Sequence, residues 1–201
     1  MTPATRKAPW FLARCAQAAT AAAAVLDAFR TVALRDYYLH RTAAALHKSA
    51  MISMVFVYAM TLTLVLLLVW LDRCRSNARE LSPQAALPSR GWTAGSWFIP
   101  VVNFFAGRKS VLAIGRASST SWEGRRGTTL VNLWWGAWMG HVAVLAVVMR
   151  MAPGSMVVLV VAEALMIAAG VLLVLVIERI TALQRDAFGA SAPAVVGAQR
   201  S

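Results

Sequence analysis

The sequence predicts an all-α integral membrane protein with four transmembrane helices, of which the first either spans the bilayer or lies flat on its surface. Residues 50–71 form an apolar run without a charged side chain, and at about 1.5 Å per residue such a helix crosses a hydrocarbon core of about 30 Å. Hydrophobic residues make up 59% of the 201, more than a soluble domain usually carries. We therefore interpret residues 1–201 as one membrane domain.

Three further segments compete with residues 50–71 as membrane spans. Residues 129–149 and 155–177 are long enough and consist mainly of apolar side chains. Residues 10–29 are richer in alanine, which contributes little to insertion. They also contain polar side chains on one helical stripe, namely Arg14, Gln17 and Asp27, together with Ala21, Ala24 and Thr31. This segment either spans with the stripe turned inward or lies on the membrane surface.

The distribution of basic residues predicts the orientation, because Lys and Arg gather in cytoplasmic loops. The linker 72–128 is rich in them, whereas the turn 150–154 holds Arg150 alone. The linker residues are Arg73, Arg75, Arg79, Arg90, Arg108, Lys109, Arg116, Arg125 and Arg126. We therefore place the linker and both termini in the cytoplasm of a bacterial cell. Four basic residues after the first span oppose this layout, since Arg30, Arg35, Arg41 and Lys48 then face outward.

The linker contains a second apolar stretch, residues 91–107, flanked by arginines on both sides. Crossing the membrane here would expose one basic group outside, and Pro100 and Asn103 interrupt helix continuity. We expect a re-entrant or interfacial hairpin that enters and leaves from the cytoplasmic side. Residues 108–118 predict a surface helix with Val111, Leu112 and Ile114 toward lipid. Ser82, Pro83, Pro88 and Ser89 predict the turn before the hairpin, and residues 186–201 predict a disordered tail.

Several short motifs between Trp70 and Arg185 belong together. They are WLDRCRSNAR at 70–79, Gly91-Trp92, SWFIPVVN at 96–103, Arg-Ala-Ser at 116–118 and WWGAW at 134–138. Their spacing resembles the bacterial family called domain of unknown function 4328. The resemblance implies an integral membrane protein without an assigned activity. The chain departs from the family pattern at Gly107-Arg108, Ala113 and Gly115, where a Pro-Tyr pair, a glutamate and a tryptophan are expected.

Two ionisable side chains lie inside predicted spans, His141 and Glu163, and both are about nine residues from the outer turn. A hydrogen bond between them would shield both. One interpretation is a proton- or cation-handling site, because histidine titrates near neutral pH. The other is a polar contact between helices, which contributes about 0.6 kcal/mol.

Aromatic and small residues mark two faces of the third span. Trp134 and Trp138 share a face with His141, which predicts either a ligand groove or an interfacial tryptophan belt. Gly136 and Gly140 form a GxxxG motif, which serves either packing within the bundle or a homo-oligomer.

The hairpin motif and the basic residues after it form the last candidate site. Trp97, Pro100 and Asn103 predict either a capped helix break or a pocket wall, since an Asn amide bonds backbone groups that proline frees. Arg108, Lys109 and Arg116 would then contact lipid headgroups or phosphate.

The sequence argues against several functional classes. It lacks the GxSxG, HExxH, Walker and dinucleotide motifs, and Cys15 and Cys74 lack the neighbours of a metal site. The net charge of +12 lies beside apolar segments, which favours anionic lipid over nucleic acid. We expect neither cofactor, metal nor catalysis. The sequence favours a structural or interaction module that engages anionic lipid or a protein partner; the alternative is a small proton- or cation-coupled transporter using His141 and Glu163.

Overall fold

The computed structural model describes residues 8–95, 100–118, 125–151 and 155–198, and the regular structure in these ranges is α-helical. The helices are α1 (Trp10–His40), α2 (Ala43–Leu81), α3 (Arg90–Gly95), α4 (Pro100–Ser118), α5 (Arg125–Met151) and α6 (Met156–Ala198). The predicted all-α class is therefore confirmed. Four of these helices are longer than the predicted spans that they contain.

A tight turn joins α1 to α2. Arg41 has a φ of 49°, and its amide donates to the Tyr37 carbonyl at 2.8 Å. A residue in this left-handed conformation commonly ends an α-helix. The next residue caps the following helix, because the Thr42 hydroxyl accepts from the Ala45 amide at 3.1 Å. Two residues therefore reverse the chain, and α1 reaches His40 rather than ending near residue 29.

Two helices are long and apolar enough to cross a membrane, as judged by length and composition over the described residues. They are Ala43–Leu81 and the Met156–Ala190 part of α6. Only 11% of the most apolar window of the first is buried inside the protein, and 33% of that of the second. A core helix of a soluble protein would bury most of this surface, so these apolar side chains lie largely on the outside.

The chain divides into two compact units. Unit 1 comprises Met1–Cys15, Leu67–Val131 and Leu175–Ser201, and unit 2 comprises Ala16–Leu66 and Asn132–Val174. Unit 2 is built from segments of α1, α2, α5 and α6. Within it, polar side chains are buried, among them Gln17, Thr20, Asp27, Ser49, Thr63 and His141. Unit 2 thus carries polar groups in its interior and apolar groups on its exterior.

Unit 1 contains α4, which differs from the predicted surface helix. Val111, Leu112 and Ile114 were expected to face lipid, but all three are buried in unit 1. Lys109 and Arg116 on the same helix are exposed. The reason is that α4 is amphipathic, and its apolar side packs against the protein.

The backbone is helical from Pro100 onward. Pro100 is the first residue of α4, which runs on without interruption to Ser118. Proline is well suited to the first turn of a helix, where its missing N–H has no partner to lose. Residues 100–107 of the predicted hairpin and the predicted surface helix are therefore one helix, while residues 96–99 lie outside the described residues.

The last helix continues beyond the last predicted span. Helix α6 extends to Ala198, so it overlaps residues 186–198 of the tail that the sequence predicts as disordered.

Candidate functional site

A buried aspartate forms the centre of the polar interior of unit 2. Asp27 is 0% exposed, and its Oδ1 accepts from Arg30 Nε at 2.7 Å and from a terminal nitrogen of the same guanidinium at 2.5 Å. The Arg30 guanidinium in turn lies 4.4 Å from the centre of the Phe56 ring, a cation–π distance. The aspartate charge is therefore balanced locally by an arginine one helical turn away on α1.

His141 lies opposite the second oxygen of this aspartate. Its Nδ1 is 2.8 Å from the Ala162 carbonyl oxygen, and since a carbonyl only accepts, Nδ1 must carry a hydrogen. The other ring nitrogen, Nε2, lies 3.7 Å from Asp27 Oδ2, an oxygen with no hydrogen-bond partner in the described structure. The histidine ring and the aspartate carboxylate are therefore buried neighbours that join α1 to α5 inside unit 2.

Glu163 has a different partner from the predicted one. Its Oε2 accepts from the Thr31 hydroxyl at 3.3 Å, and its Oε1 is buried without a hydrogen-bond partner in the described structure. His141 and Glu163 are therefore not hydrogen-bonded to each other. Successive residues point about 100° apart around a helix, so α6 offers the Ala162 carbonyl to His141 and turns the Glu163 carboxylate toward α1.

The polar stripe of α1 faces α6 within unit 2. The Gln17 amide donates to the Val174 carbonyl at 3.1 Å. A side chain at Gly170 would meet Ala24 Cβ at 3.7 Å. Further along α1, the Thr31 hydroxyl donates to Glu163 of α6. Gln17 and Thr31 of the stripe thus contact α6 within unit 2, whereas Arg14 of the same stripe is exposed.

The aromatic face of α5 is partly joined to this cluster. The Trp138 ring stacks on the His141 ring with 6.0 Å between centroids, whereas Trp134 meets Trp135 edge to face at 5.3 Å. The two glycines of the GxxxG motif, Gly136 and Gly140, have different surroundings. A Cβ at Gly140 would lie 3.3 Å from a Leu165 methyl, while one at Gly136 would meet nothing within 4 Å. Gly140 thus allows a close contact between α5 and α6, and Gly136 leaves an open face.

Unit 1 contains a second buried polar cluster, which the sequence analysis did not identify. Gln184 is 0% exposed. Its amide nitrogen donates to the Cys74 carbonyl at 2.8 Å and to the Ser118 hydroxyl at 2.9 Å, and its oxygen accepts from Asn77 at 3.0 Å. Trp70 donates to Thr181 at 3.2 Å nearby in the same unit. One glutamine therefore joins α2, α4 and α6.

The hairpin motif and the basic residues after it are described only in part. Trp97 lies outside the described residues, and Asn103 lies in the first turn of α4. Arg108 is half-buried, whereas Lys109 and Arg116 are exposed. In the described ranges, no three His, Cys, Asp or Glu side chains are grouped so as to hold a metal ion. What the two clusters visibly do is join helices within their units through buried polar contacts.

These features define the class of the protein: an all-helical chain with two helices apolar enough to cross a membrane and polar side chains inside each unit. The chain belongs to the family described as domain of unknown function DUF4328, whose model matches residues 30–182. No curated protein and no solved structure matches it. The residues WLDRCRSNAR and Arg-Ala-Ser that carry the resemblance supply Trp70, Asn77 and Ser118 to the Gln184 cluster. In this chain, residues that carry the resemblance therefore take part in the hydrogen bonding that joins α2, α4 and α6.

Proposed function

We propose that the protein is a non-enzymatic integral membrane module of the bacterial cytoplasmic membrane that crosses the bilayer four times, with both termini in the cytoplasm. The observation that carries this proposal is the burial pattern of unit 2. Asp27 and His141 are inside it, while large apolar side chains such as Val32, Val57 and Val157 are more than half exposed. Leaving such side chains in water costs about 1.5–3 kcal/mol each relative to an apolar environment. A hydrocarbon surrounding removes this cost.

Helices α1 and α5 carry polar and charged side chains within their apolar stretches, and several of these are buried. The side chains that lower their hydropathy include Gln17, Asp27 and His141, and all three are buried in unit 2. A polar side chain turned toward protein does not meet lipid. At 31 and 27 residues, both helices exceed the roughly 20 residues that a span requires.

Membrane extraction tests this proposal. The expressed protein should sediment with the membrane fraction and remain there after alkaline carbonate washing, which releases peripheral proteins, and it should dissolve only in detergent. A companion sample washed with high salt controls for electrostatic attachment. Recovery in the soluble fraction or in the carbonate supernatant would contradict an integral position.

The cytoplasmic side is proposed to engage anionic lipid through α3 and α4 as an interfacial hairpin. Support comes from the exposed basic residues of α4, Lys109 and Arg116, and from the attraction of about 1 kcal/mol per basic residue to an anionic surface. Replacing Arg108, Lys109 and Arg116 by alanine should abolish the protein's preference for anionic over neutral lipid, as measured by reconstitution into nanodiscs. Lipid binding that depends neither on these three residues nor on the salt concentration would contradict this proposal.

A proton-coupled transporter is the second candidate, and the buried contact between Asp27 and His141 favours it. Such a transporter would use Glu163 as a further proton-exchanging group, because Glu163 Oε1 is buried without a hydrogen-bond partner in the described structure. Proton flux into liposomes should then fall after Glu163→Gln and after Asp27→Asn. Glu80, exposed on α2, gives the matched control variant Glu80→Gln. Equal flux in the wild type, the variants and empty liposomes would leave transport without support.

A further inference from the structure

A cavity of about 510 Å³ opens in unit 2 at the end that holds the α1–α2 turn. It is lined by one face of α1, by the start of α6 and by Lys48 of α2. The α1 residues of the lining follow a helical spacing from Ala28 to Leu39. At about 1.5 Å per residue, this face is roughly 16 Å long, which is enough for a headgroup and the first part of a chain.

Two cations of the lining are unbalanced. The Nε of Arg35 is buried without a hydrogen-bond partner, and within the described residues neither Arg35 nor Lys48 forms an ion pair. The two acids of the lining have other partners. Glu163 accepts from Thr31 through one oxygen, while its Oε1 has no hydrogen-bond partner in the described structure, and Asp36 lies 2.9 Å from His40. Since neither carboxylate is paired with Arg35 or Lys48, these two cations are available to an anionic group of a ligand.

The rest of the wall is apolar and continues onto the exterior of unit 2. Val32, Leu39, Met156 and Val160 line the cavity, and each is more than half exposed. In a bilayer such exposed side chains face lipid. A ligand anchored at the cations would thus extend its apolar part along this wall into the surrounding hydrocarbon.

We propose that this cavity binds an amphiphile with a phosphate-bearing headgroup, an anionic phospholipid, whose phosphate lies between Arg35 and Lys48 and whose chain lies on the wall formed by Val32, Leu39, Met156 and Val160. Guanidinium and ammonium groups are the standard phosphate ligands of proteins. The site is distinct from the basic residues of α4 in unit 1. The proposal rests on the proposed membrane position. It also explains why Arg35 and Lys48 occur beside the α1–α2 turn, which would face outward and where the positive-inside rule predicts few basic residues.

Lipid binding to the purified full-length protein in neutral detergent tests the proposal, with native mass spectrometry counting bound phosphatidylglycerol. The wild type should retain one molecule with an affinity at least tenfold higher than Arg35→Ala/Lys48→Ala. The charge-matched control Arg73→Ala/Arg150→Ala removes two exposed cations outside the cavity and should bind like the wild type. Val160→Trp, which fills the wall but keeps both cations, should also weaken binding tenfold.

Two further probes separate the parts of the ligand. Diacylglycerol, which has the chains without the phosphate, should bind at least tenfold more weakly, and inorganic phosphate should not displace the lipid. Equal binding by the Arg35/Lys48 variant and its control, or equal binding of diacylglycerol, would overturn the proposal. Displacement by inorganic phosphate would overturn the assignment to a lipid. Extraction from membranes is measured separately, so failure of the lipid site and failure of the membrane position give different results.

Discussion

Asp27 is the residue on which the interior of unit 2 depends most. It is fully buried, and it is balanced by Arg30, whose side chain is 18% exposed. Removing one partner of a buried ion pair leaves the other charge uncompensated, which is costly even where the intact pair contributes little.

We therefore expect Asp27→Asn to lower the free energy of unfolding by about 3–5 kcal/mol. The measurement is denaturant unfolding of the detergent-solubilised protein, followed by tryptophan fluorescence. The exposed Asp36, paired with His40, is the matched control, and Asp36→Asn should change stability by about 0–1 kcal/mol. Similar effects of the two substitutions would show that Asp27 is not buried as described.

The two cysteines give a second test at the scale of single residues. Cys74 is 0% exposed, whereas Cys15 is half-buried, and burial among apolar groups makes a thiol unreactive. In a Cys15→Ser background, a maleimide should label Cys74 only after denaturation. The reverse background, Cys74→Ser, provides the comparison for Cys15. Rapid labelling of Cys74 in the folded protein would contradict the packing of α2 in unit 1.

The sequence predicted single residues unevenly. His141 and Glu163 stood out because an ionisable side chain in an apolar run is conspicuous, and the stripe containing Gln17 and Asp27 was visible from helical spacing. Their partners were not predictable, because a partner depends on the rotation of each helix about its axis. That rotation gives His141 the Ala162 carbonyl and gives Glu163 the Thr31 hydroxyl.

At the scale of helices, Gln184 holds unit 1 together. It bonds α2 through Cys74 and Asn77, and α4 through Ser118. Gln184 follows the last predicted span, carries no charge and belongs to none of the recognised motifs, so the sequence offered no reason to select it. The motif residues Asn77 and Ser118 were selected by family resemblance, but their common partner was not.

We expect Gln184→Ala to leave buried groups on α2 without partners, at a cost of about 1–3 kcal/mol for each. Hydrogen exchange should then rise in α4 and in the α2 segment around Cys74, while exchange in unit 2 stays unchanged. Gln84 is exposed in the loop after α2, so Gln84→Ala is the matched control. Unaltered exchange in α4 would contradict the role of Gln184.

The turn between α1 and α2 gives a prediction of the opposite sign. Arg41 has a left-handed backbone, which costs a non-glycine residue roughly 1 kcal/mol. Arg41→Gly should therefore raise the free energy of unfolding by about 0.5–1 kcal/mol, as measured by thermal unfolding in detergent. Thr42→Ala removes the α2 cap and should lower it by about 1 kcal/mol. A lower melting temperature for Arg41→Gly would contradict the turn as described.

The lengths of the helices show what composition can and cannot predict. Apolar runs located the centres of α2, α5 and α6, because insertion depends on summed hydrophobicity. Their ends lie well beyond the runs, since polar helix can continue wherever it packs on protein, as α2 does from Leu71 to Leu81. For the same reason α4 was predicted as a lipid-facing helix, although its apolar side is buried in unit 1.

For the whole molecule, the central proposal is that the apolar exterior of unit 2 lies in a bilayer and that the linker 72–128 lies on the cytoplasmic side. The claim combines the exposed apolar surface of unit 2, the basic residues of the linker 72–128 and the membership of the DUF4328 family. The apolar surface and the family membership favour a bilayer, and the basic residues favour one orientation in it. Together they predict that the α1–α2 turn and the linker 72–128 differ in their accessibility to a reagent outside the cell.

Cysteine accessibility in intact cells tests this claim most directly. In a Cys15→Ser/Cys74→Ser background, single cysteines replace the exposed Arg41, Arg73 and Lys109. A membrane-impermeant maleimide should label position 41 in intact cells, and positions 73 and 109 only after the cells are permeabilised. Labelling of 73 or 109 from outside, or equal labelling of all three positions before permeabilisation, would contradict the account.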